Sequence, residues 1–350
     1  MSSRLESASS ENVHRQEERA GGRLLRAAVV GAGSVGSIHA SALADNPGVT
    51  LVAVCGRTRP KTESLGLVHG VPFYLSVEEL MEAERPDIVC VCTGNDQHVE
   101  PTISALERGA HVFVEKPMAF RVEDAHLMAQ AAERAGRKLG VNFNHRFAEP
   151  YQRALSFVRA GNLGTQAFVG MKFAGDLYPS LNNPYCMLIE TQGHSFDLLR
   201  LFAGDIEEVS AFLTDPRGIG VFTSAAISLR FASGAVGTLL GSWDSSYSHP
   251  RSVVFELSGT EGRVEVENIV DSVRMFRHDQ SGSKEWHPGL FDRRRDFWRT
   301  IDAHIGAFVD AVRDDREPPV SAVDGIIALE ATFAAIRSFE ERVPVTLHTH

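Results

Sequence analysis

The stretch AHVFVEKPMAF, residues 110 to 120, ends an apolar strand on Glu115, Lys116 and Pro117. A proline ring fixes the backbone beyond the lysine, so the ammonium is aimed rather than free to wander. The plain alternative is a solvated pair of strand-end charges, which are common. A second constellation lies in MLIETQGHSFDLLRLFAGD, where Glu190, His194 and Asp197 stand at i, i+4 and i+7. The three share one face if a helix begins by Glu190, with Leu198, Leu199, Leu201 and Phe202 as its apolar part and Gly204 as its stop. An imidazole titrates near neutrality and suits general acid/base work, and an ammonium supplies fixed charge and three donors. A Glu/His metal pair would need a third ligand that the stretch does not offer, so no metal is expected.

The elements that must hold these groups alternate. RAAVVGAGSVGSIHASAL runs from an apolar strand through Gly31, Gly33 and Gly36 into a helical pattern. In that context the three glycines have a mechanism: Gly31 for the tight turn, Gly33 for approach of a pyrophosphate, Gly36 for helix-on-strand packing. The free N–H groups of the helix entered at Ser34 and Val35 would bind the phosphates. VTLVAVCGR is a second strand, and Ser76 with Glu79 opens a helix before DIVCVCTG. Near-continuous Val/Ile/Ala strands separated by helices predict a parallel sheet with helices on both faces, an α/β Rossmann domain over residues 24–147. An acidic residue past the second strand would grip the ribose of NAD. That place reads Gly56-Arg57-Thr58-Arg59, whose donors and charge suit the 2′-phosphate of NADP, with NAD as the alternative. The ends of two further strands deliver Thr93, Asn95 and His98, then Glu115 and Lys116, to the nicotinamide end, where Thr93 and Asn95 can bond ribose or carboxamide. His98 reads equally well as the start of the next helix.

From residue 148 the pattern changes to short strands in period two, such as AAISLRF and RVEVEN, with ASGA and GTEG as turns. An α+β domain with a large, mostly antiparallel open sheet is expected over 148–350, and its uncovered face implies a homodimer or homotetramer. With 35 basic and 45 acidic residues the net charge is −10, which disfavours nucleic acid and anionic membrane as partners. Residues 1–23 read as a disordered polar tail with no secretory core. No apolar run could span a bilayer, and four cysteines without CxxC spacing suggest reduced thiols and the cytoplasm.

VVGAGSVGSIHASAL, CTGNDQHVEPTISALERGAHVFVEKP and VNFNHRF together resemble the Gfo/Idh/MocA family of nicotinamide-dependent oxidoreductases. The resemblance runs from about Leu24 to the C-terminus. Glu115-Lys116-Pro117 matches the family's Glu-Lys-Pro motif, and Thr93-Gly94-Asn95 replaces its common Thr-Pro-Asn. Glu190, His194 and Asp197 match an Asp-x-x-x-His-x-x-Asp stretch that faces the nicotinamide, with glutamate for the first aspartate. The resemblance implies an NAD(P)-dependent oxidoreductase moving a hydride at a hydroxyl or keto carbon of a sugar, sugar derivative or cyclitol. Lys116 would stabilise the alkoxide, His194 would act as acid or base, Glu190 would accept from a substrate hydroxyl, and Asp197 would hold the imidazole tautomer. Which of Lys116 and His194 takes the proton stays open. Arg146 and Tyr185 are candidates to bind substrate, though Arg146 reads equally as a link between domains and Tyr185 as core. The arginines of RRRDFWRTIDAHIGAF read as a solvated face, and His304 as a helix residue without chemistry. The competing functions are a non-catalytic NADP-sensing regulator, or a relative using bound cofactor for hydrolysis or epimerisation.

Overall fold

The computed structural model of the protein describes residues 23–176, 183–292 and 296–347. The expected disordered tail, apart from Arg23, and the three consecutive arginines at 293–295 lie outside the described residues. Six strands form the first sheet: β1 (Leu25–Val30), β2 (Val49–Cys55), β3 (Phe73–Tyr74), β4 (Ile88–Val91), β5 (His111–Val114) and β6 (Leu139–Val141). They are all parallel, in the order β3-β2-β1-β4-β5-β6. Every residue of β4 is buried, as a strand covered on both faces requires. The helices between them are α1 (Ser34–Ala44), α2 (Arg59–His69), α3 (Val77–Glu84), α4 (Val99–Glu107) and α5 (Val122–Ala135). Ser76 caps α3, accepting from the Glu79 N–H as its spacing predicts. The strand order reverses between β1 and β4, and the crevice beyond their carboxyl ends is where such sheets bind ligands.

A 3₁₀ turn (Asn144–Phe147) and α6 (Glu149–Arg159) lead into a nine-stranded sheet. Its central strands are β7 (Gln166–Ala174), β10 (Val236–Ser242), β9 (Ser224–Phe231) and β8 (Ile206–Thr214), with β11 to β14 (253–286) on one side and β15 (Val345–Thr346) on the other. Among the described residues of this sheet only the β7/β10 pair is parallel. One face packs on α6, α7 (Gly193–Ala203) and α9 (Ala322–Glu341). The opposite face exposes alternate residues, including Phe168, Phe212 and Leu240. Phe212 and Leu240 both pair with Ala226, so they lie in one cross-strand row.

Two C-terminal helices do not follow sequence order. Helix α8 (Arg299–Arg313) buries Ile301, Ile305 and Phe308 against Ala27, Val29 and Phe113 of the first sheet. Helix α9 buries Ile326 and Leu329 in the first core and Ala335 and Ile336 in the second. The two sheets are therefore joined by side chains shared within one helix.

Candidate active site

At the switch point, Gly31 adopts φ +125°, a region that favours glycine, and a Cβ there would run into the Cys92 carbonyl at the end of β4. A Cβ on Gly36 would collide with the Gly31 carbonyl oxygen. Gly33 differs: nothing lies within 4 Å of where its Cβ would stand. Gly33 is also the N-cap of α1, with no side chain bonding the free N–H groups. Ser34 is exposed and Val35 half-buried. An open, uncapped helix N-terminus over a closed turn fits the pyrophosphate of a dinucleotide. Beyond β2, Arg57 and Thr58 are exposed, while the Arg59 guanidinium lies over the Phe73 ring at 5.3 Å. Across the crevice Thr93 donates its hydroxyl to the Gln97 carbonyl (2.8 Å), closing the turn that presents Asn95.

The loop after β5 is held from beneath. Glu115 accepts from His39 Nε2 of α1 (2.8 Å), from Asn142 Nδ2 beyond β6 (2.6 Å) and from the Lys116 N–H (3.2 Å). Burial opposes the Glu115 charge, but His39, Lys116 and Asn142 outweigh it and hold the carboxyl below its ordinary value. Asn142 is itself oriented by His304 Nδ1 on α8 (3.0 Å). The Lys116–Pro117 peptide is cis, and the Pro117 carbonyl lies 2.8 Å from His98 Nδ1.

Held this way, Lys116 crosses to the second half and donates its Nζ to the Glu190 carbonyl at 3.0 Å. Burial pulls this ammonium below its ordinary pKa, against the pull of Glu115 and Glu190. Glu190 lies in a π-helical turn (Met187–Gln192) that runs directly into α7. One turn on, His194 is buried and stacks face to face on His145 of the 3₁₀ turn, with ring centroids 3.8 Å apart and planes within 8°. Burial, then His145 and Lys116, push His194 well below its ordinary pKa, and burial with Lys116 pushes His145 down to about 3. Burial favours the neutral form of both rings. One ammonium, one carboxylate and two neutral imidazoles thus converge from both halves of the chain.

Residues 25–143 match the oxidoreductase family with an NAD-binding Rossmann fold, and residues 151–265 match the Gfo/Idh/MocA C-terminal domain. The chain belongs to the Gfo/Idh/MocA oxidoreductase family. It is 28% identical over 337 residues to the myo-inositol 2-dehydrogenase of Thermotoga maritima, spanning 92% of this chain and 98% of that one. It is 28% identical over 334 residues to the scyllo-inositol 2-dehydrogenase (NAD(+)) of Bacillus subtilis, spanning 92% and 96%. The crystal structure of a probable dehydrogenase from Thermotoga maritima aligns with TM-score 0.79 at 27% identity, over 92% of this chain and 98% of that one.

Several side chains of this family member stand elsewhere than their sequence positions suggest. Asp197 does not hold the His194 tautomer. Both its oxygens accept from the Arg146 guanidinium, Oδ2 from Nε at 2.8 Å and Oδ1 from Nη2. Arg146 also donates to Asp324 (3.0 Å) and is buried between the 3₁₀ turn, α7 and α9, the arrangement of a link between the two halves. Burial opposes its charge, yet Asp197 and Asp324 hold it above its ordinary pKa. Tyr185 turns its hydroxyl to Glu340 of α9 (2.6 Å) and stacks on Phe222. His98 is fully buried under the Pro117 carbonyl and supports the loop instead of a cofactor. Glu115 likewise spends its carboxylate on donors of the fold, not on cofactor. His304, expected to have no chemistry, orients Asn142. His145, His39 and Asn142 escaped the sequence reading altogether. For His145 the only signal was its place between Asn144 and Arg146, and Asn144 itself is spent on Thr300 Oγ1 (2.6 Å).

Proposed function

We infer that this chain is an NADP-preferring oxidoreductase that oxidises a carbinol carbon of a sugar or cyclitol, or reduces the matching ketone. The observation that carries this reading is the bond from Lys116 Nζ to the Glu190 carbonyl, which brings the ammonium into the neighbourhood of His194. A nicotinamide nucleotide held at Gly31, Gly33 and Ser34 supplies the hydride acceptor or donor. Lys116 then donates to the oxygen on which negative charge develops, in a dry site where such a bond is worth most. His194, kept neutral, is ready to receive the hydroxyl proton. Glu190 accepts from a neighbouring substrate hydroxyl, so the site rewards a polyhydroxylated molecule and rejects a lean one. The myo-inositol and scyllo-inositol dehydrogenases among its relatives act on such molecules. The lack of a carboxylate after Cys55, with Arg57 and Thr58 exposed beside the glycine turn, supports NADP over NAD.

The test is a panel of sugars, ketosugars and cyclitols assayed by nicotinamide absorbance with each cofactor in turn. Turnover of a polyhydroxylated substrate with a lower KM for NADP is expected. Tight nucleotide binding with no turnover across the panel would leave a sensing role instead.

A further inference from the structure

The ring of His145 is 2% exposed and lies parallel to that of His194, walled by Phe173 at 5.7 Å and Phe297 at 5.6 Å. Phe143 meets the His194 ring edge-on at 5.7 Å. The Nδ1 atoms of both imidazoles are buried without a hydrogen-bond partner. We propose that His145 is a positioning residue for His194: the stack fixes the plane of the imidazole and keeps water from its face, so that the ring meets substrate as a dry, neutral proton acceptor.

The surroundings leave this task to His145. The groups that act electrostatically on His194 are His145, from the 3₁₀ turn, and Lys116, from the loop after β5. Glu190, on the preceding π turn, lies close enough to act on Lys116. Asp197, the carboxylate one turn on that could have raised the affinity of His194 for a proton, is taken by Arg146. What excludes water from the His194 face is therefore the neighbouring ring. Removing that ring admits water to one face and lets His194 hold a proton at higher pH. A phenylalanine in its place keeps the flat apolar contact without a second titrating group.

The proposal rests on the reading of His194 as an acid or base, and two measurements separate the claims. The first is a pH titration of isotopically labelled histidine by NMR in the parent, H145A and H145F proteins, without substrate. In the parent and H145F, the His194 midpoint should lie well below that of an ordinary imidazole, whereas in H145A it should rise by at least one pH unit. The second is the pH dependence of kcat/KM for alcohol oxidation, where the acid limb should rise in H145A and return to the parent position in H145F, whatever the absolute rate. An unchanged His194 midpoint in H145A overturns the proposal, as does a parent His194 that already titrates in the ordinary range. A shifted midpoint with an unmoved acid limb sustains the stack and instead removes His194 from catalysis. H145S replaces H145A if the latter does not accumulate.

Discussion

Lys116 is not a free surface charge: it is half-buried and its Nζ is bonded to the backbone of the opposite half. Lys116→Ala should lower kcat by about 10² or more, the range for losing an acid/base or oxyanion group. Steady-state kinetics on the substrate found in the panel check this, and unchanged turnover would return Glu115-Lys116-Pro117 to a mere strand end. Arg57 is the counterpart at the cofactor end. Arg57→Ala should raise KM for NADP at least about tenfold while moving KM for NAD little, because only the 2′-phosphate offers the guanidinium a charged partner. Equal effects on the two cofactors would remove the preference.

Among the elements, the glycine turn separates folding from binding by one missing methyl group. Gly36→Ala puts a Cβ into the Gly31 carbonyl, backbone that cannot swing aside, so its Tm should fall by several degrees or the protein should fail to accumulate. Gly33→Ala meets nothing, so its Tm should stay within a degree or two while cofactor Kd rises about tenfold or more. Thermal melts beside nucleotide titrations distinguish the two. The π turn at Met187–Gln192 belongs to the same scale. Its wider winding sets the orientation of Glu190 relative to α7, and such turns occur often at functional sites. An uninterrupted α-helix drawn through Glu190, His194 and Asp197 gives one shared face. In the fold Asp197 turns to Arg146 while His194 turns to His145.

For the whole molecule, the halves are joined by the cluster of Arg146, Asp197, Asp324 and Arg200. Arg146→Met would strand buried Asp197, and breaking such a pair typically costs about 3–5 kcal/mol. Its melting temperature should fall sharply, and adding Asp197→Leu should recover a large part of the loss. No recovery in the double variant would mean that the guanidinium acts through something other than this pairing. Acid should act on the fold through the buried imidazoles. His145, His194 and His304 all have lowered pKa values, so the unfolded chain takes up protons first. Their contribution is whole above about pH 6.5 and is lost as pH falls through the folded values, which for His145 means toward about 3. Each unit of difference amounts to about 1.4 kcal/mol. Melting temperature should therefore drop between pH 7.5 and pH 5, before most carboxylates titrate, and a flat profile over that interval would contradict the neutral burial of these rings.

How much of this was legible in residue order follows from the range of each interaction. The parallel sheet, the glycine turn and the Ser76 cap were readable because their determinants lie within a few residues of one another: apolar runs, a strand-turn-helix, a side chain three positions from its partner. Lys116, Glu190 and His194 were nameable because their types and the family motifs marked them. The identity of each side chain's partner was not. Arg146 finds Asp197 across 51 positions and Asp324 across 178, and His39 finds Glu115 across 76, so only chain packing could decide which charge is spent on structure. His145 was hidden for the same reason. Nothing local distinguishes a core imidazole from one stacked on a neighbour that follows it by 49 positions.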